Sequence, residues 1–404
     1  MNVLYLIGYP YRMAGSQRQI FELIVNLPAW VRPTVAVPDH GEVYDAFAAA
    51  GVDVVVVRPG TRMLQYGQAL VRASAARRLK TAVAEWLPYT RDLVRLIRGR
   101  GIDLLHPNDI RSALMAGGAA RWCGLPIVGH LQGQRAVGGA PWRVYERLVQ
   151  RIIANAEPVR QSLTPRARAK CTTVYTGIRD VSGLGSPLPW LAGLRERGVA
   201  VVGCFASVVP FKGHRHLLHA AALLNERGWR DRVVFVCVGS MADETAEYNE
   251  WLVEEQRRLG LDNFIFAGWQ ADPYSFYRVT DVEVLPSVRE DRLTIGGRVH
   301  EVVGHEGFPT THLEAMWFGI PVVGTAIAAV PEQVEDGRTG LLVPPGDGAA
   351  LADALERLLA DPALRERMGR LGRERVAERF SLEAFVGQVC GVYQEIRPRP
   401  AAAA

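Results

Sequence analysis

The chain has 404 residues, 49% of them hydrophobic and 22% charged, with a formal net charge of +5, the proportions of a folded globular protein. That apolar fraction excludes disorder as the main state, and 40 Gly and 24 Pro without a three-residue period exclude a collagen-like fibre. No run approaches the ~20 apolar residues of a membrane-spanning helix. The apolar start at residues 3–7 has no positive charge before it and meets Arg12 soon after, so it reads as a first strand and not as a secretory signal.

Short β-branched runs alternate with longer helical patterns along the whole chain, which predicts parallel sheets flanked by helices. In the first half, strands are expected at 3–7, 34–37, 54–57, 103–105, 127–129, 152–154 and 173–175, with helices at 17–26, 44–50 and 142–150. The stretch 181–189, rich in Gly, Ser and Pro, reads as a linker. A second series follows, with strands at 201–206, 232–238, 264–266, 282–285, 321–324 and 341–343. Helices at 213–226, 247–259 and 349–359 separate them. The expectation is an α/β protein with two consecutive doubly wound domains, at 1–182 and 190–380, and a disordered tail at 398–404.

The net charge conceals an asymmetry. Residues 1–180 hold 24 Arg and Lys against 12 Asp and Glu, a net of +12, and residues 181–404 hold 23 against 30, a net of −7. A basic half joined to an acidic half indicates two domains with different partners. The excess is densest at Arg72, Arg77, Arg78, Lys80, Arg91, Arg95, Arg98 and Arg100, in a stretch of helical character. Two readings stay open there: a solvated helix face, or a face for an anionic membrane or an acidic acceptor. Nucleic acid is the poorer fit, because no aromatic interleaving accompanies the charge. Only Lys80, Lys170 and Lys212 are lysines, so 44 of the 47 basic positions are Arg.

Several chemistries are excluded by spacing. Cys123, Cys171, Cys204, Cys237 and Cys390 include no Cys-x-x-Cys pair, so they read as small core residues of a reduced cytosolic protein. No Gly-x-Gly-x-x-Gly follows a strand, and no lysine lies in a Walker-type loop. His305-Glu306 and His312 are too far apart to share one helical face as zinc ligands, and no Asp-x-Asp pair is present. No metal is expected.

The segment that carries chemistry is His305-Glu306-Gly307-Phe308-Pro309-Thr310-Thr311-His312-Leu313-Glu314-Ala315-Met316. Gly307 and Pro309 mark a tight loop, and Thr311 to Glu314 has the spacing of a capping box at the start of a helix. A helix N-terminus offers N–H groups and partial positive charge to a diphosphate. Glu306 and Glu314 are placed to grip hydroxyls, although Glu314 could equally serve only to close the capping box.

Two glutamates eight positions apart, followed by Gly319-Ile320-Pro321-Val322-Val323, resemble the retaining glycosyltransferases of family 4, with the GT-B fold. Phe266-Ala267-Gly268, Asp281 to Ser287, Pro331 to Gly337, Gly340 to Asp347 and Val174 to Gly177 extend the likeness through most of the chain. The resemblance implies two Rossmann-like domains facing across a cleft, the first for the acceptor and the second for a nucleotide sugar. It also implies a C-terminal helix, at about 381–397, returning to the first domain. Glu314 would bind the ribose hydroxyls, and Glu306 would lie by the donor sugar. Backbone N–H groups of Gly307, Phe308, Pro309, Thr310 and Thr311 would meet sugar and diphosphate (Pro309 lending only its geometry), and Lys212 would neutralise the diphosphate. Gly268 belongs to the base-binding region, Gly15 to a glycine loop near the diphosphate, and Ser16 and Gln17 to the acceptor side. His130 matches a histidine at the donor sugar, and His106 and Asp109 are expected to line the acceptor cleft.

Three departures stand out. Ser207 occupies the place of a family arginine, the stretch 288–305 is long, and Ala328-Ala329 replaces glycines. Arg298, within the long stretch together with Arg289 and Arg292, is expected to restore the missing charge. The implied reaction is retaining transfer of a sugar from a UDP- or GDP-linked donor to an acceptor hydroxyl, in cell-envelope glycan, glycolipid or natural-product glycoside synthesis. No cofactor is expected, and the setting is the cytoplasm or the inner face of the membrane. The alternatives are a non-catalytic sugar-nucleotide-binding scaffold and an epimerase of the same fold.

Overall fold

The computed structural model describes all residues except 9–10, 12, 14, 61–62, 64–81, 134–137, 187, 242–244, 305 and 397–404. The expectations for Arg72, Arg77, Arg78, Lys80, His305 and the 398–404 tail therefore lie outside the described residues. Two compact units emerge: residues 1–177 with 382–404, and residues 178–381.

The first unit is built on β1 (Asn2–Leu6), β2 (Arg32–Val37), β3 (Asp53–Val56), β4 (Leu104–Pro107), β5 (Val128–Leu131), β6 (Arg151–Ala154) and β7 (Cys171–Thr173). They pair in parallel in the orders β3-β2-β1-β4 and β5-β6-β7, and a parallel bridge from Leu105 to Ile127 joins the two sheets. Apart from the less buried edge strands β3 and β7, these strands are buried on both faces, which is why they read as continuous apolar runs instead of alternating ones. Leu382, Phe385, Val386, Val389, Cys390 and Tyr393 recur at helical spacing, and this stripe makes the helix Leu382–Ile396 part of the first unit's core.

The second unit holds β8 (Ala200–Phe205), β9 (Val233–Val238), β10 (Phe264–Gly268), β11 (Val282–Leu285), β14 (Val322–Thr325) and β15 (Gly340–Val343). Their order, β10-β9-β8-β11-β14-β15, is parallel throughout and reverses direction between β8 and β11. Doubly wound sheets bind ligands at such a reversal, outside the carboxyl ends of the strands.

One expectation is corrected. Residues 181–189 are not a linker between the units. Arg278 donates to the carbonyls of Ser182, Leu184 and Gly185, and Ser186 N–H donates to Ser275 Oγ, so the segment is fastened to the second unit. The long stretch 288–305 is an antiparallel hairpin, β12 (Glu290–Ile295) and β13 (Arg298–Val303). Its two-residue turn, Gly296-Gly297, has φ of 54° and 76°, as a tight hairpin turn requires. Leu293, Ile295 and Val302 face inward and join the core of the unit. Asp291, on the same face, accepts from Arg215 and pairs with His216 at 3.0 Å.

Four cysteines are buried and none is in a disulfide, so the core reading of these residues holds. Among the described residues no helix is long and apolar enough to cross a membrane.

Candidate active site

Lys212 ends a short turn, Pro210–Lys212, that follows β8 and precedes the helix His214–Leu224. Gly213 between them has φ +74°, and a Cβ there would come within 1.9 Å of the Pro286 carbonyl oxygen. Only glycine lets the turn close against the end of β11. That contact brings Lys212 to Ser287 and Glu306. The Lys212 Nζ lies 2.7 Å from Glu306 Oε2, and Ser287 Oγ donates to the same oxygen at 2.9 Å. The hairpin base locks the arrangement: Val288 N–H donates to the Phe211 carbonyl at 2.8 Å and Gly304 N–H to the Arg289 carbonyl at 2.7 Å. Burial raises the Glu306 carboxyl, but the Lys212 ammonium and the Ser287 hydroxyl outweigh it and hold the group below the ordinary carboxylate range. Glu306 is thus an ionised acceptor at neutral pH.

The following helix is Thr310–Trp317, with Pro309 at its N-cap and no side-chain cap bond. The expected Thr311–Glu314 capping box does not form. Thr311 already lies inside the helix, its hydroxyl buried without a partner, and Glu314 Oε2 instead accepts from Tyr277 Oη at 2.9 Å. Pro309 offers no side-chain cap to the first-turn amides, which suits an anion. Gln333 Nε2 donates to the Pro309 carbonyl at 2.9 Å and fixes the loop. Phe308 turns into the core, its ring 5.5 Å from that of Phe380, so this residue offers backbone only. Beneath the helix, His312 Nδ1 and Glu283 Oε2 lie 2.8 Å apart with both side chains wholly buried, and burial raises the Glu283 carboxyl despite the histidine.

Ser207 is exposed past the end of β8, with Ser240 Oγ 3.3 Å from its hydroxyl. Gly268 ends β10 and its carbonyl accepts from Gly239 N–H at 2.9 Å, so both candidates stand at the carboxyl edge of the sheet. Arg298 is exposed beside the hairpin turn, a six-residue strand from the hairpin base, which at about 3.4 Å per residue is roughly 20 Å from Gly304. Ala328 has φ +46°, so a left-handed backbone persists where glycine is absent.

In the first unit, His130 lies at the carboxyl end of β5 and is 3% exposed. His106 is fully buried in β4, with Nε2 3.1 Å from His130 Nδ1, so it touches His130 and does not line an acceptor cleft. Asp109 is half-buried past the end of β4. It caps the helix Ile110–Cys123, accepting from Ser112 N–H at 2.7 Å and Ser112 Oγ at 3.1 Å. Gly15, Ser16 and Gln17 begin the helix Gly15–Val25, and a Cβ on Gly15 would meet nothing within 4 Å. Of the basic stretch, Arg91, Arg95, Arg98 and Arg100 are exposed. Arg91 and Arg95 share Asp92, and Arg100 pairs with Asp53, so this part of the face is half neutralised.

Ser287, Tyr277 and Glu283 escaped the sequence reading. Glu283 had a signal, a carboxylate in the otherwise apolar strand Val282–Leu285. Ser287 closes the segment Asp281 to Ser287 that carries the resemblance but was given no role, and Tyr277 had no signal without the fold.

Two doubly wound units, one of them carrying Lys212 and Glu306 beside an uncapped helix, define a GT-B protein. Residues 198–361 match Glycosyl transferases group 1, and residues 15–180 match Glycosyltransferase Family 4. The chain is 32% identical over 297 residues to the alpha-D-kanosaminyltransferase of Streptomyces kanamyceticus, covering 69% of this chain and 72% of that protein. It is 31% identical over 257 residues to the phosphatidyl-myo-inositol mannosyltransferase of Mycobacterium leprae, covering 63% and 61%. A crystal structure of Anabaena Alr3699/HepE in complex with UDP-glucose shares the fold, with a TM-score of 0.75 at 19% identity over 98% of this chain and 100% of that one. The chain belongs to the group 1 glycosyltransferases.

Proposed function

We propose that this chain transfers a sugar from a UDP- or GDP-linked donor to an acceptor hydroxyl, with retention at the anomeric carbon and without a metal ion. The observation that carries the reading is the meeting of Lys212, Glu306 and Ser287 beside the open N-terminus of Thr310–Trp317. The task is to stabilise a departing diphosphate and an oxocarbenium-like sugar. Lys212 and the first-turn amides present fixed positive charge to the diphosphate, and one such preorganised donor is worth about 3–4 kcal/mol in the transition state. Glu306, held ionised, accepts from sugar hydroxyls, and Glu314, oriented by Tyr277, accepts from the ribose. His130 is assigned a hydrogen bond to the donor sugar. The leaving diphosphate oxygen takes the acceptor proton, so no protein base is assigned.

The acceptor is anionic or lipid-linked, as in envelope glycans and glycolipids, or a natural-product aglycone. The net charge of +12 on residues 1–180 and a mannosyltransferase relative named for a phosphatidyl-inositol acceptor favour the first. Work at the inner face of the membrane fits the same charge.

Calorimetric titration with UDP, GDP, ADP and dTDP, on wild type and Glu314→Ala, tests the donor site. One nucleotide is expected to bind and to lose affinity in the variant. Binding of none would sink the reading, and binding without turnover would favour a scaffold. Anomeric NMR of the product tests retention.

A further inference from the structure

We infer that Tyr393, carried by the helix Leu382–Ile396, acts through His106 to fix the tautomer of His130, so that His130 presents its Nε2–H to the donor sugar as a hydrogen-bond donor. The use of His130 at the sugar rests on the glycosyl-transfer reading; the tautomer does not.

Four buried side chains form an unbroken chain of contacts. Tyr5 Oη lies 2.8 Å from Tyr393 Oη, Tyr393 Oη meets His106 Nδ1, and His106 Nε2 lies 3.1 Å from His130 Nδ1. None of the four is more than 3% exposed. Tyr5, Tyr393 and His106 have no exposure at all, so water is not at hand there and each of their protons must find an acceptor inside the chain.

Only one direction of donation meets that condition. If His130 Nδ1–H donated to His106, His106 Nδ1–H would have to donate to Tyr393, and Tyr393 to Tyr5. The Tyr5 proton would then be buried with no acceptor, since its hydroxyl meets only Tyr393 among the described residues. In the opposite sense Tyr5 donates to Tyr393, Tyr393 to His106 Nδ1, and His106 Nε2–H to His130 Nδ1. The protons of the three wholly buried members are all used, and the one left over is the His130 proton, on Nε2, at the only member with any exposure. Both rings stay neutral, because burial lowers His106 well below its ordinary value and His130 to about 4. The same helix also sets Phe385 against His130, ring centroids 6.4 Å apart, so it constrains the ring and its proton together.

Tyr393 and His106 are accordingly positioning residues. The test is long-range 15N–1H NMR of the ring nitrogens in full-length protein, with His130 assigned from His130→Gln. Wild type is expected to show the neutral Nε2–H form. Tyr393→Phe removes the proton that biases His106 and is expected to average His130 between both tautomers, with kcat down about tenfold and the donor KM little changed. Tyr5→Phe deletes a hydroxyl from the same core but leaves Tyr393 its proton for His106, so the Nε2–H form is expected to persist. An Nδ1–H form in wild type, or an unchanged tautomer in Tyr393→Phe, would overturn the inference. If the tautomers behave as expected while His130→Gln keeps full turnover, the role of His130 in transfer fails and its tautomer assignment stands.

Discussion

In the second unit the buried polar groups carry charge, with the Lys212 ammonium and the Glu306 carboxylate 2.7 Å apart and largely out of solvent. In the first unit the buried chain from Tyr5 to His130 carries none. A charged pair in a low dielectric costs desolvation and is kept where a highly charged ligand must be met. A neutral relay is the cheaper device where only a hydrogen-bond direction has to be fixed.

The sharpest break in this contrast is Lys212→Met. It strands the Glu306 carboxylate in the interior, at an expected cost of about 3–5 kcal/mol in urea unfolding, and lowers turnover on the order of 10²–10³-fold. Adding Glu306→Gln is expected to recover stability and no activity; recovery of both would show that the pair is scaffolding.

Acid separates the two networks next. His130 is lowered from 6.5 to about 4, so the unfolded chain binds a proton that the folded one refuses. Stability therefore falls as pH drops from about 6.5 toward 4, by up to about 3 kcal/mol from this group, and because His106 is lowered by the same burial and adds to the slope, His130→Gln is expected to reduce it without abolishing it. Glu306 has the opposite reference. Its carboxyl lies below the ordinary value of 4.5, so its contribution is present above that range and is lost only as pH falls through the lowered value. Unfolding series from pH 7 to 3 check both.

Tyr277→Phe removes a hydrogen bond to a carboxylate, and the donor KM is expected to rise about tenfold with kcat nearly constant. Ala328→Gly relieves a left-handed backbone and is expected to raise stability by up to about 1 kcal/mol in thermal melts. Smallest of all, Arg298→Ala at the hairpin tip is expected to leave donor affinity and turnover unchanged.

Most of the parallel strands were legible because they are apolar runs between turn residues, a pattern that burial on both faces imposes, whereas the polar edge strand Cys171–Thr173 was expected two residues late. The hairpin was not. Glu290 to Val303 mixes charged and apolar residues at a period of two, and inside a chain of parallel strands that pattern passes for loop. Lys212, Glu306 and Glu314 could be found because they lie in local motifs. Their partners Ser287 and Tyr277, and the chain Tyr5–Tyr393–His106, span separations of up to 388 residues and exist only once the chain has folded. The capping box shows the reverse error: correct spacing, but Tyr277 took the carboxylate first.

The path of the chain sets an order of assembly. It leaves the first unit after Gly177, completes the second through Ser381, and returns with Leu382. During synthesis the ribosome therefore releases every strand of the second unit before the helix that supplies Phe385, Val389 and Tyr393 to the first. The later-made unit can close first, and the earlier-made one waits with an open apolar face for the last turns of the polypeptide. A nascent chain truncated before Leu382 would carry a finished second unit and a first unit still in need of a chaperone.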